Sequence, residues 1–181
     1  MKSPASSAVR PCSFAAASAW RAAAADAADQ GEVAMTEVLT GGCQCGGVRY
    51  EVTADKPYRT HICHCTDCRK QSGSAFSVTW IIDKDCFRLT QGALKVFTSE
   101  AQSGRGKRGA FCPDCGSRIY NEIDLRPGQV SIKTGTLDDG GGLAPTRHVW
   151  VQSKLPWVDI PEGAEVFERG VDKASSDRNP A

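Results

Sequence analysis

The sequence lacks long apolar runs, and none approaches the roughly 20 consecutive apolar residues that a membrane-spanning helix needs. No secretory signal with a long apolar core precedes its cysteines. It also lacks a charge excess. The 22 Lys and Arg against 21 Asp and Glu leave a formal net charge of +1, without runs of basic residues. That argues against nucleic acid or an anionic membrane as the principal partner. Amphipathic helical periodicity is scarce, and heptads and internal repeats are missing. What remains is the composition of a soluble globular protein, 40% hydrophobic and 24% charged. At 181 residues the chain suffices for one domain with a respectable core, but not comfortably for two.

Nine cysteines break that ordinary pattern. A disulfide framework fits them poorly, because the count is odd and the C-x-C and C-x-x-C spacings are too close for ordinary structural bridges. Metal binding in a reducing, cytoplasmic compartment is the better reading. Cys12 and Cys86 fall outside the clusters and read as small buried hydrophobes.

The organising stretch is His61 to Gly73, HICHCTDCRKQSG, which crowds Cys63, Cys65 and Cys68 together. A structural zinc site closes with four protein ligands, whereas a catalytic one supplies three and leaves a position for water or substrate. This triplet therefore predicts an open site. Cys43 and Cys45 in GGCQCGG, with Cys112 and Cys115 in FCPDCGS, supply the thiolates of a closed one. A redox role for the second C-x-x-C lacks the βαβ context it would need.

Alternating apolar residues predict strands over residues 48–52, 75–82, 87–90, 94–98, 107–111, 119–123, 129–134, 148–151 and 157–160. The fold class is mainly β: one domain, residues 36–167, of several short antiparallel sheets organised around zinc. Residues 1–35 read as an Ala-rich extension, disordered or less plausibly a targeting segment, and residues 168–181 as a disordered tail.

These motifs, in this order, are GGCQCGGVRYEV, CHCTDCRKQSGSAFS, FCPDCGSRIY, GTLD and PTRHVW. The chain thereby resembles the glutathione-dependent formaldehyde-activating enzyme family, whose domain is shared with centromere protein V. The resemblance covers about Gly41 to Ile160 and implies a complex β fold similar to that of a small zinc-bearing Rab exchange factor. It implies structural zinc on Cys43, Cys45, Cys112 and Cys115, and catalytic zinc on Cys63, Cys65 and Cys68. The implied activity is that of a carbon-sulfur lyase or synthase. Glutathione, the co-substrate, places its thiol at the fourth zinc position, and formaldehyde or a related small aldehyde adds to give S-(hydroxymethyl)glutathione. The expected partners are thus a small thiol and a small aldehyde; the sequence sets no oligomeric state.

Three thiolates around one zinc carry a net charge of about −1, so a fourth needs compensating cations or N–H donors nearby. Arg69 and Lys70 are candidates, although a solvated basic pair at a loop exit is the simpler reading. His61 shares the parity of Cys63 and Cys65 and is the better placed histidine to approach the metal or shuttle a proton, although an ordinary polar residue at the loop entrance is the simpler reading. His64 points the other way in extended backbone, as an outer or surface residue. His148 has no cluster around it and is assigned only a structural part. A non-catalytic thiol carrier and a zinc-stabilised interaction module are the alternatives to an enzyme.

Overall fold

The computed structural model describes residues 37–54, 59–140 and 142–171. The expectations for the Ala-rich extension, for Cys12 and for the chain from residue 172 onward lie outside the described residues. The strands in chain order are β1 (Glu37–Gly42), β2 (Arg49–Ala54), β3 (Arg59–Cys63), β4 (Ser77–Asp83), β5 (Phe87–Gln91) and β6 (Lys95–Glu100). They continue as β7 (Gly106–Phe111), β8 (Arg118–Ile123), β9 (Gln129–Lys133), β10 (Arg147–Val149) and β11 (Glu165–Phe167). A short helix, α1 (Thr66–Ser72), follows β3.

The strands form a three-stranded sheet, β1-β2-β5, and an eight-stranded sheet, β11-β10-β3-β4-β9-β8-β7-β6. Neighbours are antiparallel except that β10 runs parallel to β3 and to β11. The expected mainly β class is what the chain adopts.

Because side chains alternate faces along a strand, the central strands serve two environments at once. Trp80 and Ile82 of β4 and Val130 and Ile132 of β9 point into one core, where they meet Val48, Tyr50 and Val52 leading into and along β2. Each apolar side chain buried there contributes roughly 1.5–3 kcal/mol. The intervening residues, Thr79 and Ile81 of β4 with Ser131 and Lys133 of β9, line a cavity on the other face. Register ties these rows together: His61 sits opposite Thr79, and Thr79 opposite Lys133; Arg59 sits opposite Ile81, and Ile81 opposite Ser131.

Several features depart from expectation. Trp157–Ile160 is not a strand: Pro156 and Trp157 make a turn and residues 158–160 are irregular, with the Lys154 ammonium donating to the Val158 carbonyl at 2.6 Å. The last strand is instead β11. Just past β11, the carbonyls of Glu168 and Arg169 accept bonds from Gln152 and Trp150. Finally, Cys86 is a buried core residue but is disulfide-bonded, which corrects its reading as a spare small side chain.

Candidate metal centres

The first cluster is built by two tight turns from opposite ends of the domain. After β1 the chain reverses through Gly46 (φ +77°), with the Cys43 amide bonded to the Val48 carbonyl at 3.0 Å. After β7 it reverses again through Gly116 (φ +75°), whose amide donates to the Cys112 carbonyl at 3.0 Å. Positive φ at both positions is why glycine stands there. Ser117 joins the turns: its hydroxyl accepts from the Gln44 amide at 3.1 Å and lies 3.2 Å from the Cys115 sulfur. Gly92, at φ +76°, presses against the Gly47 carbonyl, so a Cβ there would collide with the first turn.

The four sulfurs of Cys43, Cys45, Cys112 and Cys115 lie within 4.8 Å of one another. Tetrahedral zinc with bonds of about 2.3 Å separates its sulfurs by about 3.8 Å. Cys45 and Cys112 are 3.8 Å apart, and Cys43 and Cys45 are 3.4 Å apart. The Val48 amide also donates to the Cys43 sulfur at 3.2 Å, and bonds from Ser117 lower the Cys115 thiol to about 5. Four sulfurs at this spacing can hold a zinc ion.

The second cluster forms where β3 runs into α1. Cys63 ends the strand, Cys65 caps the helix by accepting from the Cys68 amide at 3.3 Å, and Cys68 lies one turn in. Their three sulfurs also lie within 4.8 Å of one another. Without a cation the charge is shared unevenly. Hydrogen bonds from Cys63, then Cys65, hold the Cys68 thiol down to about 3, while the bond with Cys65 raises Cys63 well above its ordinary value. Three sulfurs that cannot all ionise alone suit a divalent ion.

This cluster opens on a cavity of about 140 Å³. Its ionisable lining is mostly cationic: Arg59, Lys107, Arg126, Lys133 and Arg147, against a single carboxylate, Asp67. Lys133 is buried and donates to Ser77 Oγ at 2.9 Å. Lys107 is equally buried and pairs with Asp67 at 3.3 Å. Arg147 pairs with Glu165 at 3.0 Å. His61 lines the same cavity with its Nε2 2.8 Å from Thr79 Oγ1, and burial, followed by repulsion from Arg126 and Lys133, holds it down to about 3. It is therefore neutral at ordinary pH.

The loop after β6, expected only as a polar connection, closes one side of this cavity. Gln102 accepts from the Thr66 amide at 3.1 Å through its side chain, while its own amide donates to Asp67 at 2.9 Å. On α1, Gln71 accepts from Asn121 at 3.1 Å, which fixes the helix to β8. Across the cavity, Trp150 adopts a left-handed backbone (φ 59°), alone among the described non-glycine residues, and packs against Cys63, Cys65 and Val149. Nothing local in the sequence marks Gln102 or Trp150 for these positions; the signal is their partners.

The other expectations fare differently. Arg69 and Lys70 do not reach the thiol cavity; they line a separate open groove with Phe76 and Trp157. The cations that line the thiol cavity come from β3, β7, β9, β10 and the turn after β8 instead. His64 is not a surface residue but fully buried, with Nε2 3.0 Å from Nδ1 of His148. Among the described residues no helix is long and apolar enough to cross a membrane.

The family model of the glutathione-dependent formaldehyde-activating enzymes matches residues 38–153. A Halomonas elongata protein is 29% identical over 129 residues, 68% of this chain and 81% of its own length. A Fusarium vanettenii protein is 34% identical over 139 residues, 75% of this chain and 67% of its own. A Penicillium rubens protein is 31% identical over 83 residues, and the match spans only 42% of that relative's length. All three carry the family's description in their names. A Rhodobacter sphaeroides protein of known crystal structure aligns over 71% of this chain and 99% of its own, at 18% identity and a TM-score of 0.45.

Proposed function

The chain belongs to the glutathione-dependent formaldehyde-activating enzyme family, and on that footing we propose that it is a zinc-dependent carbon-sulfur lyase or synthase. It joins glutathione to formaldehyde, or to a related small aldehyde, as S-(hydroxymethyl)glutathione. The observation that carries the reading is the convergence of Cys63, Cys65 and Cys68 on a cavity whose other ionisable lining is mostly cationic. In this reading Cys43, Cys45, Cys112 and Cys115 hold a structural zinc.

Zinc held by Cys63, Cys65 and Cys68 would supply an open position for the glutathione thiol and lower its pKa. The remaining work falls to the chain. A fourth thiolate raises the charge of such a centre to about −2, and Lys107 and Lys133 around the cavity offset it. The glutathione sulfur forms a bond to the carbonyl carbon as the π pair moves to oxygen. Lining ammonium and guanidinium groups donate to that developing alkoxide. The proton released by the thiol is returned to this oxygen, so the reaction consumes no net proton. His61, neutral and fixed by Thr79, presents an uncharged hydrogen-bonding ring to the cavity.

Glutathione and formaldehyde also combine without protein, so the test is an exchange measurement by NMR with and without protein. An enzyme speeds exchange between free and hydroxymethylated glutathione, saturates in both substrates, and loses the effect in Cys65→Ser. A carrier binds glutathione without raising the exchange rate, and that outcome would remove the lyase reading.

A further inference from the structure

Of the five cations in the thiol cavity, three have local partners: Lys107 has Asp67, Lys133 has Ser77 and Arg147 has Glu165. Arg59 and Arg126 do not. Among the described residues neither guanidinium group forms an ion pair or hydrogen bond. Arg59 starts β3 at the exposed rim, two residues before His61 on the same strand face. Arg126 is half-buried in the turn after β8, its amide bonded to the Ile123 carbonyl at 2.9 Å.

Arg126 feels both the rim arginine and the sulfurs. Burial, then repulsion from Arg59, lowers the pKa of Arg126, while the charge at Cys63 opposes that shift. Arg126 thus lies within electrostatic reach of both the rim arginine and the sulfur cluster. Two like charges held in one cavity without a counter-ion are costly unless an anion arrives to share them. A planar pair of guanidinium forks suits a carboxylate.

We propose that Arg59 and Arg126 form a carboxylate subsite that recognises the acidic end of the thiol substrate and sets the cavity's preference for glutathione over small neutral thiols. This rests on the reading of Cys63, Cys65 and Cys68 as the place where the substrate sulfur binds. The sulfur and the carboxylate then occupy opposite ends of one cavity, with the peptide portion spanning the row of Thr79, Ile81 and Ser131 between them.

The test separates the two ends. S-methylglutathione keeps both carboxylates but cannot offer a thiolate, and its dimethyl ester keeps neither. Binding of each to the full-length, two-metal protein is measured by calorimetry, alongside the metal-thiolate absorption that glutathione induces in cobalt-loaded protein. The expected result is that S-methylglutathione binds more tightly than its diester. Arg126→Gln and Arg59→Gln each weaken S-methylglutathione by roughly tenfold or more and leave the diester unchanged, and Arg126→Lys restores part of the loss. Arg59 is at the exposed rim, so its variant keeps the test valid if Arg126→Gln folds poorly. If glutathione produces the thiolate band while S-methylglutathione and its diester bind alike, the subsite is overturned and the sulfur site stands. If no band appears yet S-methylglutathione binds in an arginine-dependent way, the sulfur reading fails and the subsite stands.

Discussion

His64 Nε2 lies 3.0 Å from His148 Nδ1, with the two rings stacked at 5.2 Å between centroids and both residues buried. His64 follows Cys63 directly, and its amide bonds to the Val149 carbonyl. The pair therefore ties β10 to the turn that presents the sulfurs. His64 Nδ1 is buried without a partner, so this single bond is all that satisfies the ring.

Removing it leaves the His64 ring wholly unpaired. His148→Phe keeps the volume but strands a buried polar group, which costs about 1–3 kcal/mol. Urea denaturation of the metal-loaded protein checks this; an unchanged midpoint would mean the pair contributes nothing.

The same burial sets a pH dependence. Burial first, and then repulsion from His148, holds His64 down to about 4. Burial also lowers His148. In the unfolded chain both return to about 6.5. The unfolded state therefore binds more protons between these values, and stability, fully present above pH 6.5 or so, falls as pH drops through 6.5 toward 4. Denaturation at about pH 7 and about pH 5, with zinc in excess to hold occupancy, should show the loss. A flat profile would contradict the neutral buried pair.

The two cysteine clusters should fail differently. Cys112 belongs to the set that joins the turns after β1 and β7 and is itself fully buried in the main core. Cys112→Ser should lower zinc content and melt the domain at a markedly lower temperature. Cys65→Ser should lose metal from the cavity site and leave most of the fold. Equal unfolding of the two variants would refute this division.

Lys133 is a buried cation beside the sulfurs. Burial lowers its pKa, and charge on Cys68 and Cys63 pushes the other way. Lys133→Met preserves length and apolar packing but removes the charge, so the fold should survive. Glutathione affinity of the cobalt-loaded protein should fall by about tenfold, the equivalent of one pKa unit of lost thiolate stabilisation. Unaltered affinity would place the charge offset elsewhere.

Both sulfur clusters and most strands were legible in the sequence, because metal spacing and period-two alternation are local signals. AFSVTWII predicted β4, and VRYEV predicted β2. The cavity was not legible, because its cations come from separated strands and turns that only sheet register brings together. Arg69 and Lys70 adjoin Cys68 in sequence, yet they follow α1 onto another groove, while Lys133 reaches the sulfurs from β9. β1, with polar EVLTGG and no clean alternation, and short β11 were likewise hidden, since pairing rather than propensity makes them strands. The pairing of His148 with His64 depends on β10 lying parallel to β3, a contact that neither neighbourhood advertises.

Titration of glutathione into protein carrying cobalt in place of zinc tests the central claim most directly. With two metals bound, the account predicts a saturable rise in thiolate-to-metal absorption and a shift in the d-d bands, both lost in Cys65→Ser. Two bound metals with unchanged spectra on addition of glutathione would contradict it, because the open thiolate cluster would then not be a site for the substrate's sulfur.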